Sequence, residues 1–200
     1  MFRSLAALLV GTGAAAALLV RSRRRKRGSE DDNTQRGGTE LVDGEVRVRD
    51  GTTLDIGAIS GAIRDLAKFE DSLDQVHTTQ AILERDSTLF RTVVAVRVDQ
   101  EGVERELVGF AFFSYGYSTW VGKTLALDDL YVSEAYRSKG VGSRLLRAVA
   151  MRGRSDGVQR MEWLSFKWNE IANVFYESRG AERQDRLYYW RMTRETMGRL

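Results

Sequence analysis

The chain has 200 residues, of which 42% are hydrophobic and 30% are charged, a composition typical of a globular protein that can bury a sizeable core. It has no cysteine and one histidine, His77, which excludes disulfides, a thiol nucleophile and a cysteine-ligated zinc site. The formal net charge of +3 is uneven, because residues 1–27 hold seven basic and no acidic side chains. The other residues hold 24 basic and 28 acidic side chains, a net charge of −4, and therefore predict no nucleic-acid-binding surface.

The amino-terminal segment, residues 1–27, combines an apolar run with a basic cluster. Leu5–Val20 is apolar apart from one Gly-Thr-Gly, and six basic residues follow at 21–27. As a helix this run would span ~24 Å, slightly less than a ~30 Å hydrocarbon core. The basic flank predicts a membrane anchor that holds the following domain in the cytosol, with an organelle presequence, such as a mitochondrial one, or a disordered tail as alternatives. Residues 28–44 predict a flexible linker, and 45–200 a folded domain.

Residues 45–200 have hydrophobic patterns that switch between the periods of strands and helices. Apolar runs predict strands at Glu45–Arg49, Thr92–Val98, Leu107–Tyr115, Thr124–Val132, Met161–Phe166 and Arg186–Met192. Amphipathic stretches predict helices at Leu54–Phe69, Thr78–Glu84, Val141–Arg152 and Glu170–Ser178. This order predicts an α+β domain with a mixed sheet and a central strand–helix–strand unit.

A glycine-containing stretch before the third predicted helix has the features of a phosphate-binding loop. The first turn of a helix has unpaired N–H groups and a partial positive charge, so a helix that begins near Gly140 can bind an anion. Gly140 and Gly142 have no Cβ, and Arg137 and Lys139 can add charge-assisted hydrogen bonds. Gly-x-Gly alone also fits a plain helix start, and the stretch is neither a Walker loop nor a complete Rossmann fingerprint.

Two motifs in sequence order give the loop a more specific meaning. Arg-x-x-Gly-x-Gly at 137–142, after an acidic strand, resembles the pyrophosphate loop of the GNAT acetyltransferase superfamily. Trp-Asn-Glu-Ile-Ala-Asn-Val-Phe-Tyr-Glu-Ser-Arg-Gly-Ala at 168–181 resembles the later cofactor-binding helix of the same superfamily. Four further segments, at 66–70, 109–111, 120–123 and 127–130, are similar to the diamine acetyltransferases that act on spermidine, spermine or thialysine. The resemblance covers about residues 45–192.

The resemblance implies the GNAT (acyl-CoA N-acyltransferase) fold, an α+β architecture whose central, mostly antiparallel mixed sheet has roughly six to seven strands and about four flanking helices. It implies acetyl-CoA as co-substrate and no metal. It also implies a set of residues that bind acetyl-CoA, namely Leu130, Tyr131, Val132, Arg137, Ser138, Lys139, Gly140, Val141, Gly142, Ser143, Asn169, Glu170, Ala172 and Tyr176.

The resemblance assigns the catalytic roles to Tyr176 and Asp128. Tyr176 would protonate the leaving thiolate, and Asp128, where the family usually has Glu, would act on the amine directly or through water. An alkyl amine has a pKa near ~10, so its proton must be removed before attack, and no covalent enzyme intermediate is needed. Backbone N–H groups near Tyr131 could stabilise the oxyanion. The amine itself would be bound by Phe69, Glu70, Trp120, Asp128, Asp129, Glu162, Trp163 and Leu164.

Three departures from the diamine acetyltransferases bear on the substrate. Asp128 replaces Glu, Phe69 replaces Tyr, and the late segment 181–188 is shorter and basic where the family has an acidic stretch with Gly-Trp. We therefore expect an N-acetyltransferase that acts on a diamine, a polyamine or a lysine analogue such as thialysine by direct attack in a ternary complex. A homodimer is implied by the resemblance. The alternatives are acetylation of protein lysines or amino termini, and a non-catalytic acyl-CoA-binding module.

Overall fold

The computed structural model describes residues 40–42 and 46–199. The predicted anchor or presequence at 1–27 and nearly all of the predicted linker at 28–44 lie outside the described residues. Within the described part of the chain, no helix is long and apolar enough to cross a membrane.

The strands form one mixed sheet in which neighbours in sequence are also neighbours in space. Its strands are β1 (Glu40–Val42), β2 (Val46–Asp50), β3 (Arg91–Val98), β4 (Glu104–Ser118), β5 (Gly122–Val132) and β6 (Arg160–Glu162). Every neighbouring pair is antiparallel except β5 and β6, which are parallel. The mixed, mostly antiparallel sheet is thus confirmed, although the continuous part, 46–199, contributes five strands, fewer than the six to seven expected, and β1 adds only three residues within the predicted linker.

Two strand predictions near the carboxyl end were too long or wrong. The strand predicted at Met161–Phe166 stops at Glu162, after three residues. The strand predicted at Arg186–Met192 does not form, and its large apolar side chains are 59–86% exposed. A strand-like sequence pattern forms a strand only where a neighbouring strand offers hydrogen bonds and a surface to pack on.

Five helices accompany the sheet in residues 46–199, namely α1 (Ile56–Phe69), α2 (Gln80–Arg85), α3 (Val141–Ser155), α4 (Glu170–Glu177) and α5 (Arg194–Met197). One core cluster joins the sheet to α3, whose Val141, Leu145 and Val149 are fully buried. A smaller cluster joins the opposite face to α1 through Ile59 and Ala62. Helical spacing of apolar residues gives α1 and α3 one buried stripe each, and each buried Leu or Ile stabilises the fold by about 1.5–3 kcal/mol.

The edge of β5 is open along its second half, which positions the functional site. The parallel pairing with β6 covers only Thr124, Leu125 and Ala126. Among the described residues, 127–132 have no strand partner on that edge, so the backbone groups that this stretch leaves unbonded are available to a ligand.

Candidate active site

The predicted phosphate loop connects β5 to α3 and contains two residues with left-handed backbone. Ser138 has φ +60° and Gly140 has φ +80°, and Gly140 is the residue that precedes the first turn of α3. No side chain caps this helix, and the first hydrogen bond of α3 runs from the N–H of Arg144 to the carbonyl of Gly140. The N–H groups of Val141, Gly142 and Ser143 are therefore left for an anion, as the sequence predicted.

Gly142 marks the point at which the loop meets β5 and α4. A Cβ on Gly142 would lie 3.7 Å from Cγ2 of Val132 and 3.8 Å from Cζ of Phe175. Val132 ends β5 and Phe175 belongs to α4. The start of α3, the open edge of β5 and one face of α4 thus converge on one place, and all three hold residues assigned to acetyl-CoA.

Arg179 joins the two predicted cations, Arg137 and Lys139, around this loop. Nζ of Lys139 lies 5.4 Å from the ring centre of Tyr136. Arg137 donates from Nε to the carbonyl of Val132 at 3.0 Å, and its guanidinium lies 5.0 Å from the ring centre of Phe69, towards the amine side of the site. Arg179, which sequence reasoning did not select, donates to Oγ of Ser143 at 2.5 Å and lies over the ring of Phe175 at 4.7 Å. Arg179 thus brings a positive charge to the start of α3, and the Arg-Gly-Ala that ends the motif at 168–181 was its signal in the sequence.

The start of α4 is fixed by two asparagines. Asn169 precedes the helix and accepts a hydrogen bond from the N–H of Ala172 at 3.2 Å, so its side chain serves as the helix cap. Asn173 accepts from the hydroxyl of Ser165 at 2.6 Å and donates to the carbonyl of Phe166 at 3.1 Å, which holds the loop before α4 in place. Glu170 follows Asn169 in the first turn, so the predicted group of Asn169, Glu170 and Ala172 lies together.

A β-bulge shapes β5 at the predicted catalytic aspartate. Phe112 pairs with Asp129 and Phe113 pairs with Leu127, so Asp128 has no partner in β4. A bulge of this kind changes the face to which the following residues point. The side chains of Asp128 and Asp129 can therefore lie on the same side of β5. They stand where the half of the strand that pairs with β6 gives way to the open half.

Three carboxylates gather beside this bulge. Desolvation, reinforced by the negative charges of Asp128 and Glu70, raises the pKa of Asp129 to about 6. Burial alone raises the pKa of Glu70, at the end of α1, and that of Asp128. Asp128 is the more exposed of the two aspartates. The structure thus brings together three of the four acids that were predicted to bind the amine, and their mutual repulsion favours a cationic ligand.

Tyr176, the predicted general acid, lies next to these carboxylates. Its ring is 5.0 Å from the ring of Trp163 and 5.3 Å from that of Phe175, centre to centre. Burial, followed by the charges of Glu70 and Asp129, raises the pKa of Tyr176 to about 12. The phenol therefore stays protonated at neutral pH, so Tyr176 can act as a proton donor.

An aromatic cluster borders the acids on the side of α1. The ring of Phe69 lies 5.8 Å from that of Trp168, which stacks at 5.5 Å on Phe166. Phe69 was predicted as part of the amine site, whereas Phe166 and Trp168 were not. Aromatic faces attract alkylammonium groups, so this cluster complements the carboxylate of Glu70 beside it.

Not all residues predicted for the amine site are near the others. Trp120 lies in the turn between β4 and β5, is 91% exposed, and is about 20 Å along the strand from Asp128 at ~3.3 Å per residue. Glu162 and Leu164 are exposed at the end of β6 and just after it. Trp163, which lies between them in sequence, contacts the predicted catalytic residue Tyr176.

Comparison with known proteins identifies the family. The model of the Acetyltransferase (GNAT) family matches residues 62–181, which include the carboxyl-terminal part of α1, the phosphate loop and α4. The chain belongs to this family. It is therefore an acetyl-CoA-dependent N-acetyltransferase. The phosphate loop before α3, the open edge of β5 and Arg179 fit this co-substrate.

Two curated relatives and one solved structure are similar to this N-acetyltransferase. Thialysine N-epsilon-acetyltransferase of Bos taurus is 30% identical over 143 residues, which cover 68% of this chain and 84% of the relative. Spermidine/spermine N(1)-acetyltransferase-like protein 1 of Homo sapiens is 34% identical over 140 residues, which cover 68% of this chain but 20% of the relative. An aminoglycoside N-acetyltransferase in complex with CoA is 17% identical, covers 78% of this chain and 97% of its own, and matches with a TM-score of 0.58, which shows the shared fold.

Proposed function

We propose that this enzyme acetylates a primary amine of a small cationic substrate, a diamine, a polyamine or a lysine analogue such as thialysine, by direct attack in a ternary complex. The carboxylate cluster of Glu70, Asp128 and Asp129 beside Tyr176 is the observation that carries the proposal. Three neighbouring carboxylates repel one another, so a bound ammonium relieves their repulsion. The relatives named for thialysine and for spermidine/spermine support the same class of substrate.

The co-substrate would bind along the line from β5 to α4. The backbone of 130–132 offers the open strand edge to the pantetheine amides and to the acetyl carbonyl. The N–H groups of 138–143 and the guanidinium of Arg179 suit the pyrophosphate. Asn169 to Ala172 would line the lower part of CoA, with Asn169 acting mainly as the cap that orients α4.

The reaction needs one group that accepts a proton and one that donates a proton. Tyr176 is the proposed donor, because it is protonated at neutral pH and lies beside the carboxylates. Asp128 is the acceptor that the sequence predicts, directly or through water. The backbone N–H groups at the open edge of β5 would stabilise the developing oxyanion.

A thiol-release assay tests the proposal, and the absence of cysteine removes any protein background from a thiol reagent. Purified full-length enzyme with acetyl-CoA should release CoA in the presence of a diamine, spermidine or thialysine. Glu70→Gln should raise the KM for the amine about tenfold or more, whereas Glu101→Gln, in the turn between β3 and β4, removes the same charge and should leave it unchanged.

Three other outcomes would contradict the proposal. Faster turnover with lysine peptides or with peptide amino termini than with every small amine would show that the enzyme acetylates proteins. Binding of acetyl-CoA without release of CoA across the whole panel would make the chain a non-catalytic acyl-CoA-binding module. An equal effect of Glu70→Gln and Glu101→Gln on the KM for the amine would show that the carboxylate cluster does not bind the amine.

A homodimer is also proposed. The exposed apolar side chains at 187–192 support it, because five such residues could bury several hundred Å² in an interface with a second copy. Light scattering after size-exclusion chromatography should give the mass of two chains. Replacing Tyr188 and Trp190 with Ser should then shift the mass towards one chain, whereas a monomeric wild type would refute the proposal.

We further propose that residues 1–27 contact a membrane and keep the enzyme on the cytosolic side. The apolar run and its basic flank support this topology. The tagged full-length chain should resist carbonate extraction from membranes. Complete extraction, or import into mitochondria with removal of the segment, would favour the alternatives.

A further inference from the structure

The bulge in β5 interrupts the alternation of its side chains at the two adjacent aspartates. Leu127 and Leu130 both belong to the core that packs on α3, whereas Tyr131 packs on the opposite cluster with α1. Leu127 and Leu130 are three residues apart, so the strand alternation is interrupted between them, at the unpaired Asp128. Asp129 pairs with Phe112, which belongs to the α1 side, and by alternation shares the side of Tyr131.

Asp129 thus faces charged groups from three elements. Glu70 approaches it from the end of α1, Asp128 precedes it in β5, and Tyr176 lies beside it on α4. Asp129 is also the less exposed of the two aspartates. A carboxylate in such a place is a stronger base than one in water, because protonation removes both a desolvated charge and two repulsions.

We propose that Asp129 is the residue that takes the proton from the substrate ammonium, and that the more exposed Asp128 and Glu70 position that ammonium. The inference rests on the proposed amine acetylation and changes the acceptor that the sequence predicted. It follows from the bulge, since a regular strand would place neighbouring aspartates on opposite faces.

The protons balance as follows. Asp129 takes one proton from the ammonium, and the free lone pair of nitrogen forms a bond with the acetyl carbonyl carbon. The carbon–sulfur bond breaks, and the departing sulfur takes the phenolic proton of Tyr176. The nitrogen loses a second proton as the amide forms, and this proton restores the phenol through water. Asp129 finally releases its proton to solvent, so one proton leaves in each turnover.

The pH dependence of kcat/KM in full-length Asp129→Asn and Asp128→Asn distinguishes the two assignments. Wild type should lose activity as the pH falls through about 6, where Asp129 becomes protonated. Asp129→Asn should reduce kcat at pH 7 by ~10²-fold or more, and its activity should rise about tenfold per pH unit up to the pKa of the amine, because only free amine reacts. Asp128→Asn should mainly raise the KM for the amine and keep the wild-type pH profile.

A wild-type pH profile in Asp129→Asn, or the steep rise in Asp128→Asn instead, would overturn the inference. Acetyl-CoA binding by Asp129→Asn, measured by calorimetry, checks that the variant is folded. If it does not bind, Asp129→Glu provides the second test: it should keep an acid limb in the profile, and the loss of that limb would refute the inference. Failure of the proposed function is distinguishable, since wild type itself would then release no CoA with any amine.

Discussion

Replacing Asp129 with Asn should change the free energy of unfolding more favourably at pH 8 than at pH 4. The pKa of Asp129 is raised from 3.8 to about 6 in the folded state, so ionisation is harder there than in the unfolded chain. A raised pKa means that the full stability is present below about pH 4 and is lost as the pH rises through about 6. Two pKa units at ~1.4 kcal/mol each amount to a penalty of about 3 kcal/mol at pH 8, which Asn does not incur.

Urea unfolding of the full-length protein at pH 4 and pH 8 measures this difference. Any loss of packing or hydrogen bonding in Asp129→Asn acts at both pH values and cancels, so the change in the mutational effect between them isolates the charge. We expect that change to be about 2–3 kcal/mol in favour of the variant. Asp185→Asn, in an exposed loop after α4, removes the same charge and serves as control. An equal effect of Asp129→Asn at both pH values would refute the raised pKa.

Three further changes test the donor, the phosphate loop and the fold around β5. Tyr176→Phe keeps the ring packing and should lower kcat by ~10²-fold, with acetyl-CoA affinity unchanged by calorimetry, whereas Tyr117→Phe, on an exposed part of β4, should leave kcat unchanged. Arg179→Ala should raise the KM for acetyl-CoA about tenfold while Arg183→Ala does not, and equal values would remove Arg179 from the anion site. Gly109→Ala would place a Cβ 2.7 Å from a backbone carbonyl of β5 and should lower the free energy of unfolding by about 1–3 kcal/mol, measured by urea titration.

The local structure of the candidate acetyl-CoA site, the loop before α3 and the helix α4, was largely predictable from sequence because its physics is local. A left-handed residue before a helix favours Gly at position 140, and the apolar spacing of 141–149 defines the helix that follows. Asn169 and Tyr176 are separated by two turns of a single short helix. Each of these features depends on a few neighbouring residues, so the pattern alone indicates the structure.

The amine side depends on contacts between distant segments and was predicted less well. The bulge at Asp128 follows from how β4 pairs with β5, which no local pattern reveals. Its consequence, the different burial of Asp128 and Asp129, was therefore missed. Trp120 was placed in the site by analogy, yet the length of β5 carries it away from Asp128. Phe166 and Trp168 join the site only because α1 and the loop before α4 meet in space.

Binding of acetyl-CoA along the open half of β5, as proposed above, would link the lifetime of the enzyme to its supply of co-substrate. An uncovered strand edge is a template for pairing with other chains, and a ligand that occupies it removes that template. A ligand that binds only the folded state at 100 times its dissociation constant adds ~2.7 kcal/mol of stability. We therefore expect the protein to aggregate and to be degraded faster when acetyl-CoA is scarce, so that its abundance, and not only its rate, would follow the acetyl-CoA concentration.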